Sequence, residues 1–178
     1  MSDRRADQRR NIELKARDPS PSRSLRCCQS LGAEDHGELE QRDTYFHVRR
    51  GGLKLREQTP GCAHLIQFER DDEPQERESR YCLIEVDDGA VTRAALSTSL
   101  GVKVTVFKRR HLFVWRSVRI HLDEVEGLGS FIELEAVAQR DSDLSLEYAL
   151  VRELREVFAI TDERLVAAGY AAQLLADA

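Results

Sequence analysis

Charged side chains recur at every second position along this chain. Glu13, Lys15 and Arg17 form one set, Lys54 and Arg56 another, and Lys108 and Arg110 a third. Arg119, His121 and Asp123 follow, then Glu133 and Glu135, while Arg70 and Glu85 add single charges. A spacing of two puts the members of each set on one side of an extended strand. The signs are segregated: basic at 54–56 and 108–110, acidic at 133–135, mixed at 13–17. Lysine and arginine neutralise phosphate oxygens, arginine in bidentate fashion. Carboxylates hold divalent cations, and oxygen-only ligands suit Mg²⁺ or Mn²⁺. The complementary ligand therefore carries several adjacent negative charges and arrives with a divalent metal. The competing reading is an antiparallel sheet with one wet face, whose charges only meet solvent.

These side chains need strands to position them, and alternation marks eight. In Asn11–Arg17, Ile12, Leu14 and Ala16 oppose the charged positions. The spacing predicts further strands over 41–49, 53–57, 64–70, 81–87, 102–115, 116–124 and 130–138. Arg50-Gly51-Gly52 turns the second strand into the third, and Gly127-Leu128-Gly129 bends the chain before the last. Helices are expected from Ser20 or Ser22 to Leu31, over 90–100 with Gly101 as stop, over 144–160, and after a cap at Thr161. The stretch Asp71–Glu78 reads as a solvated acidic loop. Hairpin connections imply an α+β fold with a largely antiparallel sheet. Eight strands can close into a barrel with a lumen. Charges confined there are costly unless water and a ligand compensate them.

The whole composition narrows the function. The chain has 178 residues, 27 basic against 32 acidic, and a net charge of −5. That excludes a globally basic nucleic-acid binder while leaving room for a local basic pocket. Its length fits a single domain over 9–178, preceded by a disordered tail over 1–8. The start carries no secretory signal and no apolar run spans a membrane, so a cytoplasmic protein without membrane partners is expected. Cys27, Cys28, Cys62 and Cys82 form no C-x-x-C pair and read as reduced structural thiols. His36, His47, His64 and His111 show no metal spacing, and His121 reads first as a structural hydrogen-bond partner. Tyr45, Phe46, Phe68 and Trp115 read as core. There is no P-loop and no G-x-G-x-x-G; Gly51-Gly52 is a turn.

Five segments in order carry a resemblance: N-I-E-L-K-A-R (11–17), D-T-Y-F…G-G-L-K-L-R-E (43–57), L-I-Q-F-E-R (65–70), V-F-K-R-R-H-L-F (106–113) and R-I-H-L-D-E-V-E-G-L-G-S-F-I-E-L-E (119–135). Together with G-Y-A-A-Q-L-L (169–175), they resemble the CYTH superfamily, the triphosphate tunnel metalloenzymes. That group includes class IV adenylate cyclases, thiamine triphosphatases and inorganic triphosphatases. The resemblance implies an eight-stranded antiparallel tunnel open at both ends. By position it implies substrate binding by Lys15, Lys54, Arg56, Arg70, Lys108 and Arg110, to which Arg17 and Arg119 are added as candidates from the charged faces of their strands. It implies metal binding by Glu13, Glu85, Asp123, Glu133 and Glu135, and Mg²⁺ or Mn²⁺ as cofactor. Asn11 stands where many members have a first Glu; an amide offers a carbonyl oxygen without charge, which implies weaker binding of one metal ion.

The expected activity is metal-dependent hydrolysis of an inorganic or small organic triphosphate. The alternatives are a class IV adenylate cyclase, in which a 3′-hydroxyl attacks the α-phosphate and pyrophosphate leaves, and a non-catalytic polyphosphate or nucleotide binder. Lys15, set among cations, is the candidate base through a lowered pKa. Small molecules are the expected partners, and a homodimer is compatible with the sequence.

Overall fold

A computed structural model describes residues 8–70 and 75–176. Strands β1 (Arg9–Arg17), β2 (Glu34–Phe46), β3 (Gly52–Thr59), β4 (Ala63–Arg70), β5 (Arg77–Val86), β6 (Val102–Trp115), β7 (Val118–Val125) and β8 (Gly129–Val137) close into one barrel. The order around it is β1-β5-β4-β3-β2-β6-β7-β8, with every neighbouring pair antiparallel. Helices α1 (Pro21–Ser30), α2 (Gly89–Leu100), α3 (Ser145–Val157) and α4 (Tyr170–Ala176) flank it, with a 3-10 turn over Asp162–Arg164. No helix among the described residues is long and apolar enough to cross a membrane.

Alternation does the sorting. Ile12, Leu14 and Ala16 of β1, Val118 and Ile120 of β7, and Ile132, Leu134 and Ala136 of β8 face outward and are buried. Leu150, Val151 and Leu154 of α3 and Cys28 of α1 cover them, forming the main core. Each buried aliphatic side chain there contributes about 1.5–3 kcal/mol. The opposite parity faces the lumen, where a second apolar cluster of Val106, Val125, Phe131 and Tyr170 forms. Tyr170 belongs to α4, so this helix packs a plug into one end of the barrel. The closed barrel is the eight-stranded antiparallel tunnel that the resemblance implies, with Tyr170 packed among its lumenal side chains.

Two elements differ from their sequence reading. β2 starts at Glu34 rather than near residue 41, because β6 runs long enough to pair with it back to Glu34 opposite Val114. Glu34–Glu40 carries hardly any apolar side chains, so alternation is silent there and the partner's hydrogen bonds decide. β5 starts at Arg77, inside the stretch read as an acidic loop; Arg77 pairs with Glu13 and Glu78 with Ile12. The rest of that loop reading, over 71–74, and the tail reading over 1–7 lie outside the described residues. At the β2–β3 hairpin, a Cβ on Gly52 would sit 2.1 Å from Phe68 Cζ, so only glycine lets that ring lie against the turn.

Candidate active site

A cavity of about 130 Å³ lies within the barrel. Lys15, Lys54, Arg56, Lys108, Arg110 and Arg119 line it, against the carboxylates of Glu13, Glu133 and Glu135. Basic groups outnumber acidic ones on this wall, in a chain that is acidic overall. A larger open groove of about 980 Å³ shares only Lys108 with this wall.

Two buried aspartates brace the cations from behind and do not line the cavity. Asp43, 1% exposed, accepts from Arg56 through Nε and Nη2, each at 2.7 Å, and from Lys54 Nζ at 2.9 Å. Burial pushes its carboxyl up, yet Arg56, Lys54 and Lys108 together hold it well below the usual range. Asp123 accepts both arms of Arg110 at 2.6 Å and the Tyr170 hydroxyl at 2.9 Å. These bidentate pairs fix each guanidinium plane, and they are the geometry arginine forms best. Hairpin register places them: Asp43 stands opposite Arg56, and Arg110 opposite Asp123.

Lys108 has weaker company, with Asp43 Oδ2 at 3.6 Å and Asp123 Oδ2 at 3.8 Å. Burial and the neighbouring Arg110 charge lower its pKa to about 7, and the two aspartates only partly offset them. Lys15 ion-pairs with Glu133 at 2.5 Å and sits 3.6 Å above the centre of the Tyr170 ring. Arg110 also reaches Glu133, at 2.5 Å. Burial raises the Glu133 carboxyl, but Lys15 and Arg110 bring it well below its ordinary value. Glu13 accepts from Arg77 Nε at 2.9 Å, and Arg77 donates its Nη1 to the Ala167 carbonyl at 2.6 Å. Arg119 stands 4.0 Å from Glu135.

Among the described residues two groups offer ligand atoms within 4.8 Å of one another: His121, Glu133 and Glu135 in the barrel, and Cys62, His64 and Glu85 near the end of β5. His121 is 4% exposed, and burial, together with the Arg110 charge, lowers its pKa.

Lys15, Lys54, Arg56, Lys108, Arg110, Arg119, Glu13, Glu133 and Glu135 thus meet at one cavity, as their spacing implies. Three expected members do not. Arg17 has the right parity but ends β1; it is exposed and donates to the Leu128 carbonyl at 3.1 Å. Glu85 lies near the end of β5, exposed, beside Cys62 and His64. Asp123 is buried as the Arg110 brace. Parity is a property of the whole strand, whereas the cavity occupies only its middle. Arg70 closes β4 opposite Ser79, and its side chain lies outside the described residues.

Sequence reasoning missed Asp43, Arg77, Tyr170 and the lumenal place of Tyr45 and Phe68. Asp43 was findable: counting back from the Gly51-Gly52 turn sets it opposite Arg56. Arg77 was hidden in an acidic run, and nothing local reveals that Tyr170 returns to β6 and β8. Tyr45 and Phe68, expected in the core, meet edge to face at 6.4 Å on the cavity wall. All four cysteines are free.

The family model of the CYTH domain matches residues 9–164. Among solved structures, a protein from Pyrococcus horikoshii OT3 is similar at 24% identity and a TM-score of 0.80, over 91% of this chain and 98% of that one. A candidate adenylate cyclase from Vibrio parahaemolyticus shares 19% identity at a TM-score of 0.74, over 93% and 97% of the two chains. A candidate adenylyl cyclase from Hippeastrum, described as having a dominant triphosphatase activity, shares 15% at a TM-score of 0.65, over 94% and 96%. No curated protein matches the chain.

Proposed function

The chain belongs to the CYTH domain family, and from that premise we propose that it is a cytoplasmic, divalent-metal-dependent triphosphatase acting on inorganic or small organic triphosphate. The observation that carries this reading is the cavity wall, with six cationic side chains surrounding a short row of carboxylates. A fixed cluster of like charges in a low-dielectric enclosure is costly, and a polyanion of matching length relieves it. Four free thiols suit a reducing compartment.

In this reading Lys54 and Arg56, held by Asp43, and Arg110, held by Asp123, grip the phosphate chain with guanidinium planes already oriented. Lys15, Lys108 and Arg119 neutralise the remaining oxygens. Glu133 and Glu135, with Glu13 beside them, hold the metal, whose charge when bound stabilises negative charge developing on the phosphate oxygens. Water attacks the terminal phosphorus, the bridging P–O bond breaks, and the water's proton passes to a phosphate oxygen of the products. Lys15, expected from the sequence as the base, is ion-paired with Glu133 and serves here as a cation, so Lys15→Arg should keep the shape of the pH–rate profile; loss of its acidic limb would return Lys15 to the role of base.

Hydrolysis is preferred to cyclisation because water is the default nucleophile, while the aromatic pair on the wall, Tyr45 and Phe68, meets edge to face. The test is incubation with inorganic triphosphate or ATP and Mg²⁺ or Mn²⁺, followed by separation of products. Orthophosphate release supports the reading. Cyclic AMP with pyrophosphate makes the protein a cyclase instead, and tight binding without turnover makes it a binding module.

A further inference from the structure

The His121 imidazole is 4% exposed, and its Nδ1 is completely buried without a hydrogen-bond partner. It faces Glu133 Oε2 at 3.6 Å and Glu135 Oε1 at 3.8 Å, beyond hydrogen-bond reach of both. An unsatisfied buried polar atom normally costs about 1–3 kcal/mol and calls for an explanation. The spacing supplies one. Two ligands at about 2.0–2.2 Å from a common first-row ion stand roughly 3–4 Å from each other. The three atoms His121 Nδ1, Glu133 O and Glu135 O are therefore spread as donors around an ion, not as partners of one another. β7 and β8 lock the arrangement, because His121 stands directly opposite Glu133 in the ladder and Arg119 opposite Glu135.

We propose that His121 is a direct ligand of the lumenal metal, making the site one nitrogen plus carboxylates and selecting Mn²⁺ over Mg²⁺. This rests on the triphosphatase reading for the presence of a metal, and goes beyond it in naming the donor and the ion preferred. The physical ground is donor softness: imidazole suits first-row transition ions, whereas Mg²⁺ prefers an all-oxygen octahedron. Lys15 and Arg110 occupy Glu133 in the ligand-free protein. Both line the cavity, and phosphate oxygens that enter it compete with Glu133 for them, which frees the carboxylate for the ion. Metal and substrate accordingly bind together more tightly than either alone.

The test uses the full chain. Mn²⁺ and Mg²⁺ are titrated calorimetrically, alone and with non-hydrolysable imidotriphosphate, and pulsed EPR of the Mn²⁺ complex reads coupling to directly bound ¹⁴N. Wild type should bind Mn²⁺ at least tenfold more tightly than Mg²⁺ and show imidazole nitrogen coupling. In His121→Gln the Mn²⁺ affinity should fall by about 10–100-fold, that for Mg²⁺ by much less, and the nitrogen coupling should vanish. Bound Mn²⁺ without nitrogen coupling in wild type overturns the proposal while leaving a metal-dependent triphosphatase standing, and this readout needs no variant to fold. Failure of both ions to bind, with and without imidotriphosphate, overturns the metal-dependent reading itself.

Discussion

Asp43 neutralises three cations from one buried carboxylate, so its removal separates bracing from binding. Asp43→Asn leaves Lys54, Arg56 and Lys108 facing one another, and the ligand-free protein should lose about 3 kcal/mol, read by urea unfolding. Added imidotriphosphate should restore more stability to the variant than to wild type, because the ligand then supplies the missing negative charge. Lys108 gives a second handle, through pH. Its folded pKa of about 7 lies below the ordinary 10.5, so between these values the unfolded chain holds a proton that the folded protein lacks. Stability should therefore climb with pH across that window, by linkage. Triphosphate binding should run the opposite way and weaken above about pH 7, where the ammonium is lost. Lys108→Met should flatten both slopes relative to wild type, measured as unfolding free energy and imidotriphosphate affinity from pH 6 to 10.

Helix α4 contributes to the site by a route that strand alternation does not contain. Its first residue, Tyr170, places a ring beside Phe131 at 4.9 Å and a hydroxyl on Asp123. Tyr170→Phe removes one buried hydrogen bond and should cost about 1 kcal/mol. Tyr170→Ala removes the plug and should cost about 3–5 kcal/mol in urea unfolding. If the two cost the same, the ring is not packed as the barrel's stopper. The contrast also marks how far sequence reaches. β1, β3, β7 and β8 were legible because apolar residues alternate with charge and the apolar face meets α1, α2 or α3. The first half of β2 and the start of β5 were not, since polar residues there pair only because a long partner strand runs alongside. Six cations and three carboxylates of the cavity could be read from spacing and resemblance. Arg17 and Glu85 could not be told from them, because parity says which side a residue faces and not how far along the barrel the cavity extends.

The closed barrel gathers six cations around one cavity in a chain of net charge −5, and this separation of charge has a measurable consequence. Beyond the buried and cavity-lining carboxylates, many acidic side chains lie on a surface that water and salt screen, whereas the lumenal cations sit where screening is weak. A ligand that binds only the folded state stabilises it by RT ln(1 + [L]/Kd), about 2.7 kcal/mol at a hundredfold excess over Kd. Because the six cations are distributed along the cavity, stabilisation should grow with the number of linked phosphates. At equal ionic strength and without metal, imidotriphosphate should raise the melting temperature most, pyrophosphate less, and orthophosphate scarcely at all. Arg56→Gln should remove most of the difference between the three-phosphate and two-phosphate ligands, since it deletes one cavity cation, and it should also cost stability by taking the bidentate partner from Asp43. A thermal shift that follows ionic strength alone, indifferent to chain length, would mean that the cations answer to bulk salt and not to a ligand threaded among them.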